Sequence, residues 1–143
     1  MSQREVKETI LARGHENILA VHPSTLMITK EKHLTKTGDC IIAVAADKGP
    51  SDLSSQFKEK LRQQDAKLTI IIEVDGNSEK IDASGSPLLT LTGGEDLVIR
   101  KSEYMSERTL AIRADKSSND ISRKFVEKLK NPKAQIKINL IVS

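Results

Sequence analysis

At 143 residues, 30% charged and 37% hydrophobic, the chain can bury a real core and is too apolar to stay disordered. Its net charge of +3 comes from Lys and Arg spread along the whole length, which favours solubility and mild attraction for anions, and nothing more specific. The single cysteine, Cys40, excludes an internal disulfide and fits a reducing cytosol, and no apolar run approaches the ~20 residues that span a bilayer.

The amino-terminal stretch Met-Ser-Gln-Arg-Glu-Val-Lys has no apolar core, so no signal peptide is expected. Residues 5–12 alternate weakly and read as a strand. Residues 17–22 read as a second, closed by the turn His22-Pro23-Ser24, with 26–30 returning as its hairpin partner. The β-branched run 40–46 is the next strand. Gly49 as N-cap, Pro50 at the first position and Asp52 at the third then open a helix. Leu53, Phe57 and Leu61 form its apolar stripe, and 68–74 alternates as a final strand with one buried face. Each unit is therefore expected to run β-β-β-β-α-β.

The same order recurs. Residues 77–83, 88–92, 97–101 and 109–114 read as strands, and Ser117 caps a helix with Asp120 at the third position. The stripe is Ile121, Phe125 and Leu129, and residues 136–142 alternate. Glu8 to Thr35 finds matching types 71 residues later: Glu8 at Glu79, Ile10 at Ile81, Gly14 at Gly85, Ile28 at Ile99. From Asp39 onward the shift is 68, so that Ala46-Asp47-Lys48 falls on Ala114-Asp115-Lys116, and the insertion Lys36-Thr37-Gly38 accounts for the difference. This is a duplication within one domain, with repeats of about 5–75 and 76–142. A mainly β, β-rich α+β fold is expected, with two such units around a pseudo-twofold axis as a sandwich or barrel carrying two helices. A cradle-type barrel with interleaved halves is the alternative.

Several motifs occur in order. They are Gly14-His15-Glu16-Asn17-Ile18, Leu34-Thr35, Gly38-Asp39-Cys40-Ile41, both Ala-Asp-Lys triplets, Arg100-Lys101-Ser102 and Arg108-Thr109-Leu110. Together they resemble the archaeal family catalogued as domain of unknown function 371, over nearly the whole chain. The resemblance implies a β-rich fold and an archaeal cytosolic origin, and it carries no activity.

Two poles hold candidate chemistry. His15, His33 and Cys40 belong to the first half only and face Ser86, Tyr104 and Arg108 in the repeat. If 17–22 and 26–30 form a hairpin, His15 lies beside His33 with Cys40 at the same end. That would be a zinc or copper site, or a thiol beside an imidazole with Asp39 for acid–base work. At the other pole His22 and Thr25 point the same way as Asp47-Lys48 and Asp115-Lys116, where a small phosphate or carboxylate could bind. The plainer reading there is a turn-forming Asp and an ion-paired Lys, since a duplicated fold must repeat its turns. Arg100, Lys101, Ser102, Arg108 and Arg113 concentrate positive charge on the second half. Only Tyr104 is free for base stacking, so nucleic acid is not favoured. The chain carries no Walker loop, G-x-S-x-G or H-E-x-x-H motif, and its short helical stripes suit a sheet rather than a membrane. The reading is a cytosolic binding domain for a small anionic ligand. The alternatives are a metal- or thiol-dependent enzyme at His15, His33 and Cys40, and a nucleic-acid or protein adaptor.

Overall fold

The two cleanest apolar alternations in the chain lie at the centre of one sheet. In a computed structural model describing residues 5–143, Lys67–Val74 and Gln135–Val142 pair antiparallel, with Ile70 opposite Leu140 and Ile72 opposite Ile138. Leu68, Ile70, Ile72, Val74, Ile136, Ile138, Leu140 and Val142 are all buried, so a period of two gives this sheet its inner face. Residues 1–4, which begin the stretch where a signal peptide would lie, fall outside the described residues.

In chain order the strands are β1 (Val6–Arg13), β2 (Thr25–Thr29), β3 (Ile41–Ala43), β4 (Lys67–Val74), β5 (Asn77–Ser84), β6 (Asp96–Arg100), β7 (Thr109–Ala111) and β8 (Gln135–Val142). Helix α1 (Ser55–Leu61) joins β3 to β4, and α2 (Arg123–Leu129) joins β7 to β8. The strands make two four-stranded sheets, β1-β8-β4-β5 and β3-β2-β6-β7. The fold is mainly β, a two-sheet sandwich with two helices.

The duplication is visible in every element. β1 and β2 recur as β5 and β6 after 71 residues, and β3, α1 and β4 recur as β7, α2 and β8 after 68. Even the left-handed residues repeat, Ala20 (φ 51°) as Leu91 (φ 54°) and Ala45 (φ 54°) as Arg113 (φ 52°). The pseudo-twofold axis runs between β4 and β8 in one sheet and between β2 and β6 in the other. The halves interleave, because β1 of the first pairs with β8 of the second along its whole length. Gly14 and Gly85 make the same exchange. A Cβ on Gly14 would collide with the main chain at the end of α2, and one on Gly85 with Leu61 O at the end of α1. The sheets meet at both seams through single bridges, Arg13 with Val44 and Ser84 with Ile112.

Two expectations are corrected. Residues 17–22 and 88–92 are not strands, so each unit is β-β-β-α-β. Their alternation is real, since Ile18, Ala20, Leu89 and Leu91 are buried, but their backbone finds other partners. Val21 and His22 both donate to Asp39 O, and the Leu19 and Ala20 carbonyls accept from the Arg123 guanidinium. In the other half Arg62 holds Leu89 O and Thr90 O. Secondly, the strands expected over 40–46 and 109–114 stop early, because left-handed Ala45 and Arg113 turn the chain from one sheet towards the other.

The helix start is also divided. Pro50–Asp52 and Ser118–Asp120 are 3-10 turns in which the third-position carboxylate accepts from Gly49 N–H and Ser117 N–H at 2.9 Å. Ser54 and Ser122 then cap the α-helices proper, their hydroxyls accepting from Phe57 N–H and Phe125 N–H. Among the described residues no helix is long and apolar enough to cross a membrane.

Candidate functional site

The Ala-Asp-Lys turns sit where the chain leaves one sheet and reaches the edge of the other. Asp47 N–H donates to Leu11 O at 3.0 Å while Asp47 Oδ1 accepts from Leu11 N–H at 3.1 Å. Asp115 does the same with Asp82, at 2.9 and 3.0 Å. The carboxylate thus accepts where a strand carbonyl otherwise would. The lysines are engaged as well. Lys48 Nζ lies 3.6 Å from Glu8 and donates to Thr9 O, and Lys116 Nζ lies 2.8 Å from Glu79. Lys101 pairs with Asp120 at 2.8 Å, as Lys30 does with Asp52 at 3.0 Å. The Lys101 ammonium, then the Ser117 N–H and hydroxyl, hold Asp120 so that its pKa falls to about 2. Ser102 Oγ accepts from Tyr104 N–H and is exposed.

The first-half pole does not assemble. Without the strand at 17–22 there is no hairpin register to align His15 with His33. His15 sits in a turn at the end of α2, its own N–H donating to Leu129 O and its Nδ1 accepting from Asn17 N–H. His22 Nδ1 accepts from Ser24 and Thr25 N–H, and His33 is exposed in the following loop. Among the described residues no three His, Cys, Asp or Glu side chains come close enough to hold a metal ion. Burial pushes the Cys40 thiol up and Asp39 adds to it, against a smaller pull from the main chain and Arg108. A raised thiol is a poor nucleophile at neutral pH.

What the structure brings together lies on the outer side of the β3-β2-β6-β7 sheet. Met27 and Val98 face each other across the axis, their N–H groups donating to Cys40 O and Arg108 O. Thr25 stands opposite Arg100, and Thr29 opposite Asp96. Asp96 is neutralised, accepting from Thr29 Oγ1 at 2.7 Å and from Arg108 at 2.9 Å. Arg100 is not. Its Nε donates to buried Thr109 Oγ1 at 3.0 Å and its Nη2 to Ser106 Oγ at 3.4 Å. Among the described residues its remaining three of five N–H groups have no protein acceptor, and no carboxylate pairs with it. Burial first, then the neighbouring Arg108, pushes its pKa down from the ordinary value. Ser106 Oγ accepts from Arg100 and from Arg108 N–H, and among the described residues its own proton has no acceptor. Arg100, Tyr104, Ser106, Glu107 and Arg108 line a hollow of about 320 Å³. Tyr104 is 64% exposed, with the Arg100 guanidinium 4.9 Å from its ring centre.

Larger hollows offer less. The 490 Å³ one on α1 is lined by Lys58 and Arg62, which are spent on the Ser51, Leu89 and Thr90 carbonyls. In the 460 Å³ one beside Gly85, Arg113 is exposed and paired with Glu103. Sequence reasoning named Arg100, Arg108 and Thr25, and Tyr104 as the ring free for stacking, but missed Ser106. The signal was available: Arg100, Tyr104 and Ser106 replace Thr29, His33 and Thr35 of the first half, so the second half had specialised too.

The family described as "Domain of unknown function (DUF371)" matches residues 10–143. The chain is also 50% identical, over 127 residues, to "Uncharacterized protein MJ0206" of the archaeon Methanocaldococcus jannaschii, covering 89% of this chain and 93% of that protein.

Proposed function

The chain belongs to the DUF371 family, and we propose that it is a cytosolic binding domain for a small anionic ligand, held at the Arg100–Arg108 hollow. One observation carries this reading: Arg100 is a half-buried cation with no carboxylate partner among the described residues. The lysines of the Ala-Asp-Lys turns, by contrast, are already paired. Taking a guanidinium partly out of water without a counter-ion is unfavourable, and a bound oxyanion offsets that cost with charge-assisted hydrogen bonds. Arg100 N–H groups, the Ser106 hydroxyl and the free N–H groups of Arg108 are the donors lining the hollow. The cytosolic location is supported by the unpaired Cys40.

Inorganic phosphate is the probe. Calorimetry and thermal melts would follow it into wild type, Arg100→Gln, Arg108→Gln, Lys48→Ala and Lys116→Ala. Phosphate at a hundred times its Kd is expected to stabilise wild type by about 2.7 kcal/mol. The two lysine variants should respond alike and Arg100→Gln should lose the response. A response that survives in Arg100→Gln and disappears in the lysine variants removes this site in favour of the turns.

A further inference from the structure

We infer that the ligand of this hollow is a nucleoside monophosphate, its phosphate on Arg100 and Ser106 and its base on the ring of Tyr104. The inference rests on the anion reading above and adds the second moiety. Three observations converge on it. The chain has three aromatic residues; Phe57 and Phe125 are buried in the core, and Tyr104 alone is displayed, at the wall of the hollow that contains the unpaired arginine. The Arg100 guanidinium lies over the ring at 4.9 Å, so one side chain positions both the phosphate donors and the stacking surface. A volume of about 320 Å³ falls at the lower end of the range that holds small organic ligands and is generous for a bare oxyanion.

The spacing suits that chemistry. A phosphate on the free N–H edge of Arg100 stands within one pentose of the ring, and base–aromatic stacking accepts any base because each has a π-face. A single nucleotide fits better than a strand. Continuous single-strand binding needs successive aromatic platforms and a basic groove, whereas here there is one ring, and Glu107 closes the lining beside Arg108. Arg100 is recessed, which favours the exposed charge of a terminal phosphate over a bridging diester.

Tyr104 is the only tyrosine and there is no tryptophan, so intrinsic fluorescence reports on this ring alone. Calorimetry and fluorescence titrations would use inorganic phosphate, ribose 5-phosphate, adenosine 5′-monophosphate and a short single-stranded oligonucleotide on wild type, Tyr104→Leu and Tyr104→Phe. The nucleotide should bind wild type at least about five-fold tighter than ribose 5-phosphate and quench the emission. Tyr104→Leu should bring nucleotide and ribose 5-phosphate to equal affinity, and Tyr104→Phe should keep the preference. Equal affinity for nucleotide and ribose 5-phosphate in wild type overturns the inference and leaves the anion site standing. No binding of any phosphate overturns both. An oligonucleotide that binds more tightly than the nucleotide, with loss in Tyr104→Leu, overturns the mononucleotide assignment in favour of a strand.

Discussion

Replacing Asp47 and Asp115 tests whether the repeated Ala-Asp-Lys turns hold the sheets together or hold a ligand. In Asp47→Ala the main-chain bond from residue 47 to Leu11 O persists, while Leu11 N–H loses its carboxylate acceptor, now 3.1 Å away. A hydrogen bond to a charged group contributes about 1.5–3 kcal/mol. Leu11 is partly exposed, so water replaces part of that, and a loss of about 1 kcal/mol is expected. Asp115→Ala should cost a similar amount through Asp82 N–H. The two seams share no partner, so the double variant should lose about the sum. Asn keeps the accepting oxygen, and Asp47→Asn should lose clearly less than Asp47→Ala. Urea unfolding followed by far-ultraviolet circular dichroism gives these differences. Unchanged stability in both Ala variants, together with loss of the phosphate response, would refute the structural role and return the motif to the list of binding sites.

Other outcomes follow from single contacts. Gly85→Ala drives a Cβ into Leu61 O and is expected to cost about 1–3 kcal/mol, while Gly94→Ala, with open space around it, should be near neutral in the same assay. Asp120, held at about 2 by Lys101 and the Ser117 turn, contributes stability above its unfolded pKa of about 3.8 and loses it as pH falls towards 2. Asp120→Asn should therefore melt below wild type at pH 7, with the gap closing between pH 4 and 2 in a pH series of thermal melts. With burial and Asp39 raising its pKa, Cys40 should be alkylated by iodoacetamide more slowly in the native than in the unfolded chain, with a midpoint above the ordinary thiol value. Fast native alkylation at pH 7 would reverse that reading.

The duplication was legible because it is carried by side-chain type. Both shifts hold across every strand and helix, and the alternation at 68–74 and 136–142 fixed the central strands. The segments 17–22 and 88–92 misled because burial and backbone pairing part company there. Their apolar residues enter the core with strand-like spacing, yet Arg123 and Arg62, remote in sequence, take the carbonyls a neighbouring strand would have used. The candidate site was half legible. Composition marks Arg100 and Arg108 as cations, but only packing reveals that Asp96 answers Arg108 and that nothing among the described residues answers Arg100. The partners of the Ala-Asp-Lys lysines were hidden for the converse reason, since Glu8 and Glu79, which pair with them, lie about forty residues earlier in the chain.

The pairing of β1 with β8 sets the order in which this protein can be made. Val6 lies opposite Val142, so the first strand waits for the last before it has a neighbour. Only the β4–β5 hairpin, turned at Asp75 and Gly76 with φ of 50° and 76°, joins strands close in sequence within that sheet. Contacts of such long range make folding slow and place its completion after synthesis of the final strand. Until then β4 presents an unpaired, apolar edge. A nascent or truncated chain that stops short of β8 is therefore the form in which this protein is most exposed to aggregation and to the cell's chaperones.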